Sequence, residues 1–153
     1  MAHKERRYTM GEIQSRPGRS CVLSFMYLLD TNILIWILRG DEGYRRLLHK
    51  LKTKGSIGIS TLSIAEVYKN IFPSELLRTE ELLSDLDLYD VTMSIAKQSG
   101  YYWQEFYKKT KNIHMMDCLI AATARNLDLI LVTLNKKDFP MNDIKFYSFP
   151  ISG

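Results

Sequence analysis

From residue 26 onward, short apolar runs alternate with stretches whose apolar residues recur every three or four positions. Met26–Leu29 predicts a buried strand and Asn32–Arg39 a helix that Gly40 ends. Asp41 or Glu42 starts the next helix, which runs to about Lys54. Ser56–Ser60, bounded by Gly55, reads as a strand. Thr61–Phe72 carries Ile64, Val67, Tyr68 and Ile71 at the i, i+3, i+4, i+7 spacing of a core-facing helix, with Pro73 as its stop. A helix over Glu75–Ser84, a short strand at Leu88–Val91 and a long aromatic-rich helix at Ser94–Thr110 follow. Met116–Leu127 places Ile120, Ala121, Ala124 and Leu127 on one face, with small alanines allowing close approach to a sheet. Leu129–Thr133 is a buried strand, and Lys145–Tyr147 an edge strand. Strands alternating with helices predict one α/β/α domain over 26–150 around a parallel sheet covered on both faces.

Residues 1–25 break this pattern. They are polar, carry Gly11, Pro17 and Gly18, and have no helical or strand period, so they read as a disordered arm. With Met26 opening the first strand, the arm is either part of the native protein or an extension from start-site choice or cloning. No 7–15-residue apolar core follows its basic start, which excludes a secretory signal.

At 153 residues, with 46% hydrophobic and 25% charged residues, the chain is long enough for one sizeable core. No apolar run approaches the ~18 residues that span a bilayer, which points away from the membrane, and the cysteine usage makes a reduced cytoplasm the default expectation. Cys21 and Cys118 match no zinc or disulfide spacing. The net charge of +4 suggests nucleic acid until it is divided: the arm carries +3 of it and the rest of the chain +1. Only local basic clusters remain. Arg45, Arg46, Lys50, Lys52 and Lys54 form one, and Lys108, Lys109 and Lys111 another. Either is also what a solvated helical surface looks like.

Candidate chemistry lies in three acids beside apolar elements, Asp30, Glu66 and Asp117. Each has a structural explanation. Asp30-Thr31-Asn32 is a good N-cap run, Ser63-Ile-Ala-Glu66 fits a capping box, and Asp117 in a first helical turn complements the helix dipole. Asn135 with Asp138 three residues later fits a capped turn. Taken jointly, they change the picture, because a parallel sheet brings its strand ends to one edge, beside a crevice. Glu66 lies opposite the apolar stripe of its helix and is expected to face Asp30 and Asp117 across that crevice. Carboxylates gathered there repel one another unless a hard cation such as Mg²⁺ or Mn²⁺ holds them. In that reading Asp30 and Asp117 bind the ion directly, Glu66 binds it directly or through a water, and Asn32 is a supporting donor. The ion polarises a phosphoryl oxygen and acidifies water, the chemistry of a metal-dependent nuclease. His114, three residues before Asp117, is either a substrate-phosphate contact or a solvated loop residue.

The blocks Leu-Leu-Asp30-Thr-Asn32, Ser-Ile-Ala-Glu66-Val, Met-Asp117-Cys-Leu-Ile-Ala-Ala-Thr-Ala124 and Thr133-Leu-Asn135-Lys-Lys-Asp138-Phe139 occur in this order. Together they resemble the PIN-domain family, in particular the VapC ribonuclease toxins of prokaryotic toxin–antitoxin pairs, over residues 26–148. The resemblance implies a three-layer fold with a parallel sheet of about five strands and a Mg²⁺- or Mn²⁺-dependent endoribonuclease acting on tRNA, rRNA or mRNA. It also implies a homodimer, and a small antitoxin whose tail occupies the cleft. Asp30, Glu66 and Asp117 match the family's catalytic acids. Asn135 stands where many members have a fourth acid, and Asp138 either replaces that charge or belongs to the Asp-Phe turn. Thr133 would support the site from a strand end.

The apolar residues of 41–54 and 61–84 correspond to the region that grips the antitoxin, although core packing explains much of the same pattern. The helix with Tyr101, Tyr102, Trp103, Phe106 and Tyr107, followed by lysines, is expected to contact RNA or a second subunit, unless its aromatics are core. The competing readings are a housekeeping PIN nuclease in RNA processing, a Mg²⁺-binding receiver domain, and a non-catalytic binding module. Leu129–Asn135 offers Thr133 and Asn135 where a receiver would place a lysine, and all three principal acids are present, which a decayed site would not require.

Overall fold

The computed structural model describes residues 24–150. Strand β1 (Phe25–Leu29) leads into helix α1 (Thr31–Leu38) and α2 (Glu42–Lys54); β2 (Gly55–Ser60) leads into α3 (Thr61–Tyr68), a 3₁₀ turn (Pro73–Glu75) and α4 (Leu76–Ser84). Then come β3 (Asp87–Tyr89), α5 (Met93–Phe106), α6 (Met115–Asn126), β4 (Ile130–Val132), a second 3₁₀ turn (Lys136–Asp138) and β5 (Lys145–Phe146). All five strands are parallel, in the order β3-β2-β1-β4-β5.

The two-residue period of β1 divides the core. Tyr27 and Leu29 point into a layer made with α1–α4, through Ile33, Ile37, Leu51 and Val67. Leu28 points the other way, into a layer with α5 and α6 containing Ile95, Tyr102, Ala121 and Leu131. The result is the expected α/β/α sandwich. Leu28, Leu29, Leu131 and Val132 are fully buried at the centre; burial of each such side chain contributes roughly 1.5–3 kcal/mol.

Local signals explain the boundaries. Asp41 caps α2, its carboxylate accepting from the Gly43 and Tyr44 amides at 2.9 and 3.1 Å. Gly40, at φ +84°, takes the left-handed conformation that lets the chain leave α1. At Gly55 an added Cβ would lie 1.8 Å from the Phe25 carbonyl oxygen, so β2 can approach β1 only through a glycine.

Several expectations change. Phe25 already pairs with Gly55, so the first strand includes a residue assigned to the arm; residues 1–23, with Cys21, lie outside the described residues. The helix expected over Thr61–Phe72 stops at Tyr68, where the bonds from Asn70 to Val67 and Ile71 to Tyr68 tighten the chain ahead of Pro73. The long aromatic helix ends at Phe106 rather than Thr110, because the Lys109 and Thr110 amides both turn back to the Phe106 carbonyl. The capping box at Ser63–Glu66 is not formed. Ser60 caps α3 instead, accepting from the Leu62 amide at 3.2 Å.

Candidate active site

Parallel strands deliver Asp30, Ser60 and Thr133 to one edge of the sheet, each immediately at or after a strand end. Asp30 is the best-held of the acids. Its backbone N–H continues the ladder to the Val132 carbonyl at 3.0 Å. Its side chain, only 7% exposed, accepts from the Thr31 amide at 2.8 Å and from the Thr133 hydroxyl at 2.8 Å. The same hydroxyl accepts from the Asn135 amide at 3.0 Å, so one threonine links the carboxylate to the turn after β4. Burial raises the Asp30 pKa and these two donors work against the rise.

Asp117 arrives from the other layer, in the first turn of α6. Its pKa is pushed up to about 6, first by burial, then by the charges of Asp30 and Asp138, with His114 acting in the opposite direction. Asp138, on the turn after β4, also raises Asp30. The three aspartates therefore share one field, and among the described residues no lysine or arginine forms an ion pair with any of them. His114 is exposed at the N-cap of α6.

Glu66 comes from α3. Its carboxylate pairs with Lys69 Nζ at 3.0 Å, one turn along α3, and borders a groove with Ile35, Arg39 and Val67. An i, i+3 cation thus pairs with it locally. Asn32 is exposed in the first turn of α1, while the Thr133 hydroxyl donates to Asp30. Sequence reasoning missed Ser63. It is fully buried and accepts from the Thr31 hydroxyl at 2.9 Å, tying the β1–α1 junction to α3. Its i, i+4 spacing from buried Val67 was the available signal.

The donor set suits a hard divalent cation. Asp30 and Asp138 both raise the proton affinity of Asp117, Asp138 also raises that of Asp30, and no lysine or arginine pairs with them, which matches the oxygen preference of such ions. Among the described residues no three His, Cys, Asp or Glu side chains are grouped so that they could hold a metal ion together. That is compatible with Mg²⁺, which is commonly held by one or two carboxylates and retains water. Cys118 lies behind Asp117, fully buried, with its thiol pushed up to about 11 by burial and by the Asp117 charge, so it is a packing residue.

The PIN domain family profile matches residues 27–145, spanning all the elements that build this edge. The chain belongs to the PIN-domain family. Within it, this PIN domain is 34% identical over 128 residues to Ribonuclease VapC10 of Mycobacterium tuberculosis, covering 84% of this chain and 96% of that protein. It is 34% identical over 122 residues to Ribonuclease VapC2 of Haemophilus influenzae, covering 74% and 89%. The crystal structure of VapBC2 from Rickettsia felis, bound to a DNA fragment from its promoter, superposes with a TM-score of 0.71 at 25% identity, covering 82% of this chain and all of that one. The receiver-domain reading falls with this assignment.

Proposed function

We propose that this PIN domain is the ribonuclease toxin of a toxin–antitoxin pair, hydrolysing RNA phosphodiester bonds with Mg²⁺ or Mn²⁺ at the Asp30–Asp117 edge. The observation that carries the reading is the coupled pair itself. A buried carboxylate fixed by Thr133 and Thr31 stands beside a second whose proton is held to about pH 6. The chemistry supplied by such an ion is Lewis-acid polarisation of the phosphodiester and acidification of water.

The chain's own contributions follow from its bonds. Thr133 and Thr31 orient both Asp30 oxygens and oppose the rise that burial imposes on its pKa. Asp117 and Asp138 add negative charge from α6 and from the turn after β4. Asn135, whose amide is anchored on Thr133, sits between them in sequence as a further oxygen donor. Asn32 borders the site as a polar contact. Glu66 must release Lys69 to reach the ion, directly or through a water.

A second groove supports the antitoxin. Ile35, Leu38, Val67 and Ile71 line it between α1, α3 and α4, with Arg39 and Arg78 on its walls. Phe72 and Leu77 beside it are 68% and 72% exposed. Glu66 and Glu75 also line it, so an apolar trough with charges of both signs on its walls fits an amphipathic helix, and the Rickettsia felis neighbour is a VapBC assembly. Near-complete coverage of the VapC relatives favours the toxin over a housekeeping PIN nuclease. A homodimer acting on tRNA, rRNA or mRNA in the cytoplasm completes the reading; among the described residues no helix is long and apolar enough to cross a membrane.

The test is incubation of purified, partner-free protein with total host RNA in Mg²⁺ or Mn²⁺ and in EDTA, beside Asp117→Asn. Discrete ion-dependent fragments absent from the variant support the reading. Cleavage that survives in the variant removes Asp117 from the mechanism.

A further inference from the structure

Helices α5 and α6 form an antiparallel hairpin. Its far end is closed by hydrogen bonds from Arg125 to Gln98 and from Asn126 to Ser94, so the end of α5 lies beside the start of α6, where Asp117 is. The end of α5 has an unusual surface. Tyr102 is core, with its hydroxyl donating to Asp143 at 2.7 Å. Trp103 and Tyr107 are not: they are 38% and 40% exposed, and their rings stack at 4.4 Å and 2°. Lys108 Nζ stands 5.6 Å from the Tyr107 ring centre, and Lys109 Nζ 5.8 Å from that of Phe106.

Lys108, Lys109 and Lys111 are exposed, and none forms an ion pair among the described residues. Residues 101–114 contain these three lysines against one acid, Glu105, in a domain otherwise close to neutral. The lysine turn runs directly from the stacked rings into His114, the N-cap of α6, whose charge is felt at Asp117. A stacked pair of partly exposed rings, a run of cations without ion-pair partners and an aspartate edge thus lie in succession along one chain segment. Aromatic faces take up unpaired bases, and lysines track the phosphates between them.

We propose that the Trp103–Tyr107 stack and Lys108, Lys109 and Lys111 bind an unpaired stretch of the substrate RNA leading away from the aspartate edge. This rests on the ribonuclease reading above, and it makes single-stranded segments the preferred targets. Duplex RNA keeps its bases stacked on one another and offers the platform nothing, leaving only the lysines to contribute.

The experiment is anisotropy of a fluorescein-labelled 12-nucleotide oligouridine in EDTA, on the full chain carrying Asp117→Asn so that binding is read without cleavage. The same chain with Trp103→Ala plus Tyr107→Ala is expected to bind about tenfold or more weakly. Trp103→Phe retains most of the affinity, and replacing the three lysines by alanine lowers the salt slope by about 2. A fully paired RNA binds more weakly than the single strand and is unaffected by the ring changes. Sedimentation of each variant is run alongside. Unchanged RNA affinity in both the ring and lysine variants overturns the proposal; if the ring variant also shifts from dimer to monomer, the face belongs to a second copy. Failure of the parent chain to cleave RNA under any ion condition counts against the ribonuclease reading alone. Loss of binding in the ring variant upholds the platform even then.

Discussion

The hydroxyl of Thr133 donates to Asp30 Oδ2 at 2.8 Å, across 103 residues of sequence. It joins the residue after β1 to the residue after β4, two neighbouring parallel strands. The bond gives a nearly buried carboxylate a fixed orientation and offsets part of the cost of its charge.

Thr133→Val keeps the shape and removes that donor. Activity at limiting Mg²⁺ is expected to fall between roughly 10- and 100-fold, with Thr133→Ser close to the parent chain. Ion titration of cleavage rate checks this; equal ion dependence in Thr133→Val would remove the threonine from the site.

Asp117 carries a pH signature. Its carboxyl titrates near 6 in the folded chain against an ordinary value of 3.8. Since the folded value is the higher one, this group's contribution to stability is full below about 3.8 and is lost as pH rises through about 6. In EDTA, Asp117→Asn is therefore expected to be at least as stable as the parent chain at pH 8, with the difference shrinking towards pH 4. Urea unfolding at both pH values checks the sign. Asp117 is only partly buried, so solvent screening keeps the effect small.

The same carboxyl is expected to set the pH dependence of cleavage. Protons and the ion compete for Asp117, so the rate rises with pH through about 6 at low Mg²⁺, and the midpoint moves down as Mg²⁺ is raised. Initial rates between pH 5 and 8 at two ion concentrations measure it. A midpoint insensitive to ion concentration would contradict ion binding at this residue.

Gly55→Ala tests the strand pairing beneath the site. Its added Cβ meets the Phe25 backbone at 1.8 Å, so β1 and β2 must separate. The cost is expected to reach about 3 kcal/mol, the upper end for overpacking, and denaturant melts read it directly.

The sheet and the Asp30–Asp117 pairing were legible in the sequence because both follow from period and position. Buried strands read as apolar runs, and parallel strands bring their ends to one edge. The Glu66–Lys69 pair was not: the place of Glu66 on α3 is fixed by period, but the rotamer that meets Lys69, one helical turn away, is not. Asp138 was ambiguous because its approach to Asp30 and Asp117 depends on a 3₁₀ turn after β4, a non-local outcome of chain reversal. The aromatics of α5 share one helical pattern, yet Tyr102 is core while Trp103 and Tyr107 are exposed. Composition alone cannot divide them, since the division depends on where α6 lies.

The central claim is that Asp30 and Asp117 together hold the ion on which cleavage depends. Calorimetric titration of Mn²⁺ into the RNA-free, partner-free protein at pH 7.5 (a working pH chosen about 1.5 units above the Asp117 midpoint) tests it most directly, beside Asp30→Asn and Asp117→Asn. The account predicts saturable binding in the parent chain that is lost in both variants. Binding retained in both variants, or cleavage by a parent chain that binds no Mn²⁺, would contradict it.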